Sequence, residues 1–280
     1  MVKAYRPYPK FPAISITGRW CALNCKYCYG RYLREMYQAT TPAELYALCK
    51  HLRGRGALGC LISGGFNRNG KLPIDAFLGT IRDIKRRLGL IVSVHVGLAD
   101  SEYAANLGRA GVDIVDVNVV TDQKTLEDVL NLRRTTSDME RTLECLYEHG
   151  PPYIAPHVLV GACYGRIRGE AASLLTIGEY DPYVLIIISL MPTEGTPMER
   201  VPPPPVRDVV SVFKEARRRL PKTELALGCM RQRGPYSDRL ERSLLNQGLV
   251  DRIVLPGTGC GGHLLNACCS LPSELESLVT

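Results

Sequence analysis

Long apolar runs are missing from this 280-residue chain: the longest, residues 183–191, is nine residues and includes Ser189. That is roughly half of the ~20 needed to cross a bilayer. The opening residues Val2, Lys3, Ala4, Tyr5, Arg6 and Pro7 contain no apolar signal core, so a cytoplasmic protein without a membrane partner is expected. Clustered charge is also scarce. The net +7 comes from 35 basic and 28 acidic residues, and no like-charge block is longer than Arg217-Arg218-Arg219. A solvated basic surface or an acidic protein partner fits this pattern, and no nucleic-acid partner is expected. Short-period repeats and low-complexity tracts are absent. What is present is 45% hydrophobic and 22% charged residues with 26 Gly and 19 Pro, the balance of a folded globular protein and not of a disordered or fibrous one. The length suits one barrel or two small domains, with a core that needs no disulfide staples.

Eight short apolar or β-branched segments, each followed by helical periodicity, span the chain: residues 13–17, 59–63, 90–96, 114–119, 154–160, 184–190, 224–227 and 252–255. Most are nearly continuous apolar runs, as parallel strands covered on both faces require, and the intervals are long enough for crossover helices. Thr41-Pro42-Ala43-Glu44 combines an N-cap, a first-turn proline and a first-turn acid, and Ser101-Glu102 and Ser137-Asp138 are expected to open two more helices. Met139, Leu143 and Leu146 recur on one helical face, so Cys145 beside them and Cys49 after Leu48 are expected to be packing residues. Prolines 202–205 form a rigid entry to a helix around residues 209–219. The expected fold is α/β, a single (β/α)8 TIM barrel over residues 13–257. An N-terminal extension (1–12) precedes it, and a Cys-containing tail (258–280) closes the barrel mouth.

The eleven cysteines are an odd count in a chain expected to be cytoplasmic, which favours metal or redox chemistry over a disulfide framework. Cys21, Cys25 and Cys28, spaced C-x3-C-x2-C, fall in the loop after the first strand. Three thiolates there can ligate three irons of a cubane [4Fe–4S] cluster and leave the fourth iron open. A closed ferredoxin run would add a fourth cysteine and a proline, and a zinc site would normally need a fourth ligand nearby. Neither pattern occurs.

With Tyr27 before Cys28, the motif resembles the radical S-adenosylmethionine (SAM) superfamily, C-x3-C-x-aromatic-C. The resemblance implies a radical-SAM-type barrel in which the open iron chelates SAM. The reduced cluster then cleaves SAM to methionine and a 5′-deoxyadenosyl radical, which abstracts hydrogen from substrate; the protein positions the cofactor and excludes water. It also implies SAM contacts. Tyr27 corresponds to the aromatic near adenine, and Ser63-Gly64-Gly65 resembles the Gly-Gly motif, where bare backbone can approach the methionine ammonium. The loop from Met191 and Pro192 through Gly195 resembles the Pro-x-x-Gly-Thr-Pro loop of biotin synthase, which lies against adenine. From the residues themselves, Asp116 and Asn118 are inward polar groups at spacing two on an apolar strand and suit ribose hydroxyls. His95 and His157 also fall within strands and read as pocket polarity or satisfied core groups. Tyr164, Arg166 and Arg168 follow the fifth strand and can meet a carboxylate.

The resemblance to biotin synthase extends from Cys21 to Gly228-Cys229. Biotin synthases hold a second cluster through cysteines of strands two, three and five and an arginine of strand seven. Here Leu61, Ser93 and Gly161 fall at the cysteine positions and Cys229 at the arginine position, with Cys60 and Cys163 offset. A second [4Fe–4S] cluster, a sulfur donor, is instead expected at Cys229, Cys260, Cys268 and Cys269, although adjacent Cys268-Cys269 also suits a redox pair. The pattern resembles the biotin-synthase-like group that includes the two-protein (split) lipoyl synthase. This implies sulfur insertion into an octanoyl chain on an acidic carrier domain, with a second radical SAM protein and a ferredoxin or flavodoxin electron donor. The alternatives are a radical SAM maturase or rearrangement enzyme without sulfur insertion, and a non-catalytic metal-binding barrel or electron carrier.

Overall fold

The computed structural model describes residues 2–257 and 263–279. The strands are β1 (Lys3–Tyr5), β2 (Ala13–Ser15), β3 (Tyr37–Gln38), β4 (Gly59–Ser63), β5 (Ile91–Val96), β6 (Ile114–Asn118), β7 (Tyr153–Val160), β8 (Val184–Ser189), β9 (Glu224–Leu227), β10 (Arg252–Val254) and β11 (Leu264–Leu265). The helices are α1 (Pro42–Gly54), α2 (Leu78–Asp83), α3 (Ser101–Ala110), α4 (Gln123–Asp128), α5 (Thr136–His149), α6 (Glu170–Gly178), α7 (Val206–Arg219) and α8 (Pro235–Asn246). The eight expected strands are β2 and β4 to β10. They lie in one sheet ordered β11-β1-β10-β9-β8-β7-β6-β5-β4-β2-β3, and all neighbours run parallel. The result is a curled half-barrel of the TIM type. The three strands with no sequence signal, β1, β3 and β11, are two or three residues long, too short for an alternation to register.

Helix caps follow the expected chemistry with two shifts of position. Thr41 and Glu44 form a capping box at α1. At α3 the cap is Asp100, one residue before Ser101, because its carboxylate accepts from the Tyr103 backbone N–H at 2.9 Å. At α5 the cap is Thr135, boxed with Asp138, so Ser137 lies inside the first turn. Each cap satisfies backbone donors that the first turn leaves open.

Strand alternation divides the core into two layers. Val92, Val94, Val115, Val117, Leu185 and Ile187 pack outward against the helices, with Cys49 and Cys145 as expected. Cys60 also faces outward, toward Cys49 of α1, and its neighbour Leu61 faces inward. The inner layer contains Tyr5, Phe11, Ile91, Ile114, Val184, Ile186, Ile188, Ala226 and Val254.

The tail enters this inner layer from the end where the strands begin, not at the mouth. Leu265, Ala267, Cys269 and Leu271 join the inner cluster. Arg252, 1% exposed on the first residue of β10, donates to the carbonyls of Cys269 at 2.7 Å and Leu271 at 2.6 Å. It also pairs with Glu224 at the start of β9 and lies 5.6 Å from the centre of the Tyr5 ring. Tyr183 donates to the Ser270 carbonyl at 2.5 Å. Replacing Arg252 by methionine keeps the volume but leaves both buried carbonyls without their donor and Glu224 with Lys3 alone, so it is expected to cost about 2 kcal/mol or more in chemical denaturation. Alkylation of the Cys269 thiol should accelerate in the same variant.

Candidate active site

The loop after β2 carries Cys21, Cys25, Tyr27 and Cys28, and close backbone contacts hold it in place. Gly65, just past β4, has no room for a side chain: a Cβ there would lie 1.9 Å from the Trp20 carbonyl oxygen and 2.5 Å from Cys21 Cα. Thr17 locks the same junction. Its hydroxyl accepts from Gly65 N–H at 2.6 Å and donates to the Trp20 carbonyl at 3.0 Å, and Ala22 N–H donates to the Phe66 carbonyl at 2.8 Å. The Gly-Gly pair therefore serves the cysteine loop directly, through backbone approach.

The loop bends sharply. Asn24 and Tyr29 sit at φ 45° and 48°, a left-handed conformation uncommon outside glycine. The segment after α4 supports it from below. Lys26 N–H donates to the Val129 carbonyl at 2.8 Å, Cys25 Sγ to the Leu130 carbonyl at 3.6 Å, and the Asn131 amide to the carbonyls of Leu23 and Asn24 at 2.8 and 3.0 Å. Leu23, Cys25, Leu98, Val120, Leu126, Leu132 and Met139 form a small apolar cluster that Cys21, Tyr27 and Cys28 adjoin.

The donor set fits an iron–sulfur cluster. Cys25 and Cys28 share a thiol hydrogen bond that pushes Cys25 up and pulls Cys28 down, and the backbone N–H groups of Gly30 and Tyr29 pull Cys28 down further. Cys28 is thereby poised toward the thiolate that ligation requires. Cys21 is close enough for its charge to act on Cys25 and Tyr27. Among the described residues, no three His, Cys, Asp or Glu side chains converge on one point; thiolates that each take a different iron of a cubane do not need to.

Tyr27 connects the loop to the rest of the interior. It packs on the inner core, on the cysteine cluster and on the group formed by Val129, Leu190 and Met198. The loop from Met191 to Met198 is held to the same side: Tyr32 hydroxyl meets Thr193 Oγ1 at 2.9 Å, and the Arg31 guanidinium covers Gly195, where a Cβ would meet its Nη2 at 1.7 Å. Gly195 stands at φ +70°, a left-handed conformation that favours glycine. Met191 and Pro192 are half-buried in this loop.

Inside the sheet, Ser63 is buried beside Ser15 of β2. Asp116 is 3% exposed and bonded to the Ser93 hydroxyl, while Asn118 ends the strand opposite His157. His95 and His157 lie 6.0 Å apart by ring centroid. Burial lowers each imidazole to about 4, and it raises the Asp116 carboxyl. Tyr164 and Arg166 are not part of this group: both are exposed, and Tyr164 hydroxyl accepts from Lys26 Nζ at 2.9 Å. Arg168 pairs with Asp122 at 2.9 Å.

Of the later cysteines, Cys229 is solvent-exposed, and desolvation by the surrounding protein and the nearby Cys268 raise its thiol. Cys269 donates to Cys268, raising Cys269 and lowering Cys268. Cys268 also feels the Asp116 charge. Cys260 lies outside the described residues. Thr17, Arg31, Tyr32 and Asn131 carry no motif; a lone asparagine between Leu130 and Leu132 is the only sequence hint that this loop has a polar task.

The family model for the radical SAM superfamily matches residues 15–162. Among curated proteins, the chain is 29% identical over 167 residues to a biotin synthase of Methylorubrum extorquens, covering 56% of this chain and 47% of that protein. It is 25% identical over 229 residues to one of Allorhizobium ampelinum, covering 79% and 69%. The chain thus spans about half the length of the first relatives it matches. Among solved structures, the FeFe-hydrogenase maturase HydG from Carboxydothermus hydrogenoformans superposes with a TM-score of 0.64 at 19% identity, over 99% of this chain and 66% of that one. Methylornithine synthase (PylB) gives 0.62 at 18%, over 95% and 75%. At these identities the two structures attest the fold alone.

Gly65→Ala drives a methyl group into the cysteine loop. Iron bound per chain after anaerobic reconstitution is expected to fall by most of its native value, while Gly79→Ala, whose Cβ meets nothing within 4 Å, leaves it unchanged.

Proposed function

The chain belongs to the radical SAM superfamily, and on that premise we propose that it uses SAM to insert sulfur at an unactivated carbon of an acyl chain, in the manner of lipoyl synthesis. Membership of the superfamily implies a [4Fe–4S] cluster and SAM; when bound, they supply reductive cleavage of SAM to a 5′-deoxyadenosyl radical. Cys21, Cys25 and Cys28 would hold the cluster. Tyr27, Ser63, Gly64, Gly65, Asn118, Met191, Pro192 and Gly195 would receive SAM, and the closely packed walls described above would exclude water.

The observation that carries the sulfur reading is the grouping of thiols across the interior. Cys229 is within electrostatic reach of Cys268 and Cys269, and it also acts on Tyr32, as Cys28 does. A second [4Fe–4S] cluster at Cys229, Cys268 and Cys269, with Cys260 as a further candidate, would place a sulfur donor across the barrel from the first cluster. Cys60, the nearest cysteine to the biotin-synthase positions on β4, instead faces α1, so a biotin-type site is not favoured. The similarity to biotin synthases supports sulfur chemistry in general terms.

Partners follow from the same reading. Exposed Arg19, Arg68, Arg133, Arg166 and Arg233 on the loops past the strand ends suit an octanoylated acidic carrier domain. A second radical SAM protein would act with the chain, and a ferredoxin or flavodoxin would supply electrons. No helix among the described residues is long and apolar enough to cross a membrane, in keeping with the cytoplasmic location proposed.

Alanine at Cys21, Cys25 or Cys28 is expected to abolish deoxyadenosine production from SAM under dithionite; production that persists would defeat the superfamily chemistry at these residues. Joint replacement of Cys229, Cys268 and Cys269 by alanine should lower bound iron by up to about four atoms per chain, read by anaerobic iron analysis and EPR, while SAM cleavage continues. Unchanged iron would remove the sulfur donor and leave a radical enzyme of another kind.

A further inference from the structure

The longest run of like charge in the sequence, Arg217-Arg218-Arg219, is neutralised in the structure: Arg217 pairs with Asp251, and Arg218 and Arg219 pair with Glu215. The unbalanced charge lies elsewhere. Three segments far apart in sequence meet around the cysteine loop. Residues 18–34 contain Arg19, Lys26, Arg31 and Arg34, residues 64–74 contain Arg68 and Lys71, and residues 129–137 contain Arg133 and Arg134. None of the three contains an Asp or Glu, in a chain with 28 acidic residues. Hydrogen bonds join them into one surface: Ala22 N–H to the Phe66 carbonyl, the Asn131 amide to the carbonyls of Leu23 and Asn24, and Arg134 to Asn69 Oδ1 at 2.9 Å. Of these eight cations only Lys71 has an ion-pair partner among the described residues, Asp100. Arg19, Arg68 and Arg133 are exposed. Two large aromatic side chains stand among them: Trp20, the single tryptophan of the chain, is 53% exposed and Tyr29 is 50% exposed. A Cβ at Gly30 would meet the Arg19 carbonyl oxygen at 3.5 Å, so the two aromatic positions lie on adjoining backbone. Unpaired arginines around exposed aromatics are the anchors that protein interfaces use.

We infer that this face docks an acidic iron–sulfur protein of the ferredoxin type, which delivers the electron the chain consumes. The inference rests on the reading above, in which Cys21, Cys25 and Cys28 hold a cluster that must be reduced. The exposed residues of the face are the immediate neighbours of those thiols: Trp20 precedes Cys21, Asn24 precedes Cys25, and Tyr29 follows Cys28. A partner seated here is one residue away from each cysteine. It sits on the solvent side of the loop, whereas the inner core lies on the other side, where Tyr27 packs. One electron leaves the partner's reduced iron–sulfur group, which is oxidised by one unit, and passes to the group held by the three thiols. No proton, bond or leaving group is exchanged between the two proteins. Ferredoxin clusters lie at the low-potential end of the range that proteins reach, as reduction of a sulfonium demands. Small, charge-steered contacts suit electron-transfer partners, which must dissociate between turnovers. Arg166 and Arg233, on the loops after β7 and β9, remain for the acyl carrier.

The test reads binding before turnover. Reconstituted protein with SAM is titrated calorimetrically with an oxidised plant-type [2Fe–2S] ferredoxin. Affinity is expected to fall at least about tenfold between roughly 0.02 and 0.2 M NaCl. The double variant Arg68→Glu/Arg133→Glu should weaken low-salt binding by about tenfold or more and flatten its salt dependence. Trp20→Ser should weaken binding by about tenfold and keep the salt dependence, whereas Arg218→Glu, in the neutralised run, should change neither. Deoxyadenosine production driven by photoreduced ferredoxin is expected to fall with binding in the double variant, while its dithionite-driven production and its iron per chain stay native. No ferredoxin binding, a double variant that binds as the native chain does, or tighter binding of a flavodoxin or of polyuridylate at the same salt would overturn the docking face. Native production under dithionite without any ferredoxin effect removes only this face. Absent production under dithionite defeats the cluster reading, and the inference with it.

Discussion

Everything at the mouth of this barrel depends on a backbone-to-backbone contact between Gly65 and the Trp20-Cys21 peptide. A strand end and the cysteine loop can approach this closely only where one partner has no Cβ. From that contact the rest follows. Thr17 bonds both sides of the junction, and the Phe66 carbonyl anchors Ala22. The loop must then turn so tightly that Asn24 and Tyr29 adopt positive φ. Strain of this kind persists where surrounding contacts over-determine it, and Asn131, Leu130 and Val129 provide those contacts from the facing segment. The three thiols are thus fixed by elements belonging to β2, β4 and the region after α4, not by their own short loop.

The interior below them is divided by chemistry. Beyond the Arg252–Glu224 pair at its base, the wall of β8, β9 and β10 is apolar, with Ile186, Ile188, Ala226 and Val254, while the wall of β5 to β7 adds Ser93, His95, Asp116 and His157 to its apolar residues. A core needing only stability would have no use for the second wall, since burying unpaired polar atoms costs free energy that apolar residues of similar size would not. The polar wall faces thiols on both sides of it.

Much of the fold could be read in advance because parallel strands buried on both faces leave nearly continuous apolar runs, and most of β4 to β10 do. The cysteine motif was legible because its spacing fits few metal groups. Other features were not legible for definable reasons. β1, β3 and β11 are too short to show a period. The face to which Cys60 or Leu61 points depends on a register that a slip of one residue inverts. Asn131, Thr17 and Tyr32 act through backbone atoms distant in sequence, which leave no pattern in their own neighbourhood. Asp116 and Asn118 read as one ribose-binding pair, but the strand places Asp116 deeper, with Ser93 and two histidines. Tyr164 and Arg166 read as carboxylate ligands, yet the chain leaves the sheet at Gly161 with φ +76° and carries both outward.

The tail shows how site and stability are joined. The sheet order ends at β3 on one side and β11 on the other, so the inner layer needs a cover beyond what the eight main strands provide. β1 and β11 extend the sheet, and residues 267–271 fill the end where the strands begin. A segment made only of loop would pay for its own ordering without a ladder to hold it; here Arg252 supplies the missing bonds to two carbonyls and balances its charge on Glu224. The same segment carries Cys268 and Cys269. Because Arg252 anchors the carbonyl of Cys269 itself, any motion that withdraws these thiols from the interior must also break a buried ion-paired clasp. The position of the second thiol group is therefore tied to the ion-paired base of the barrel.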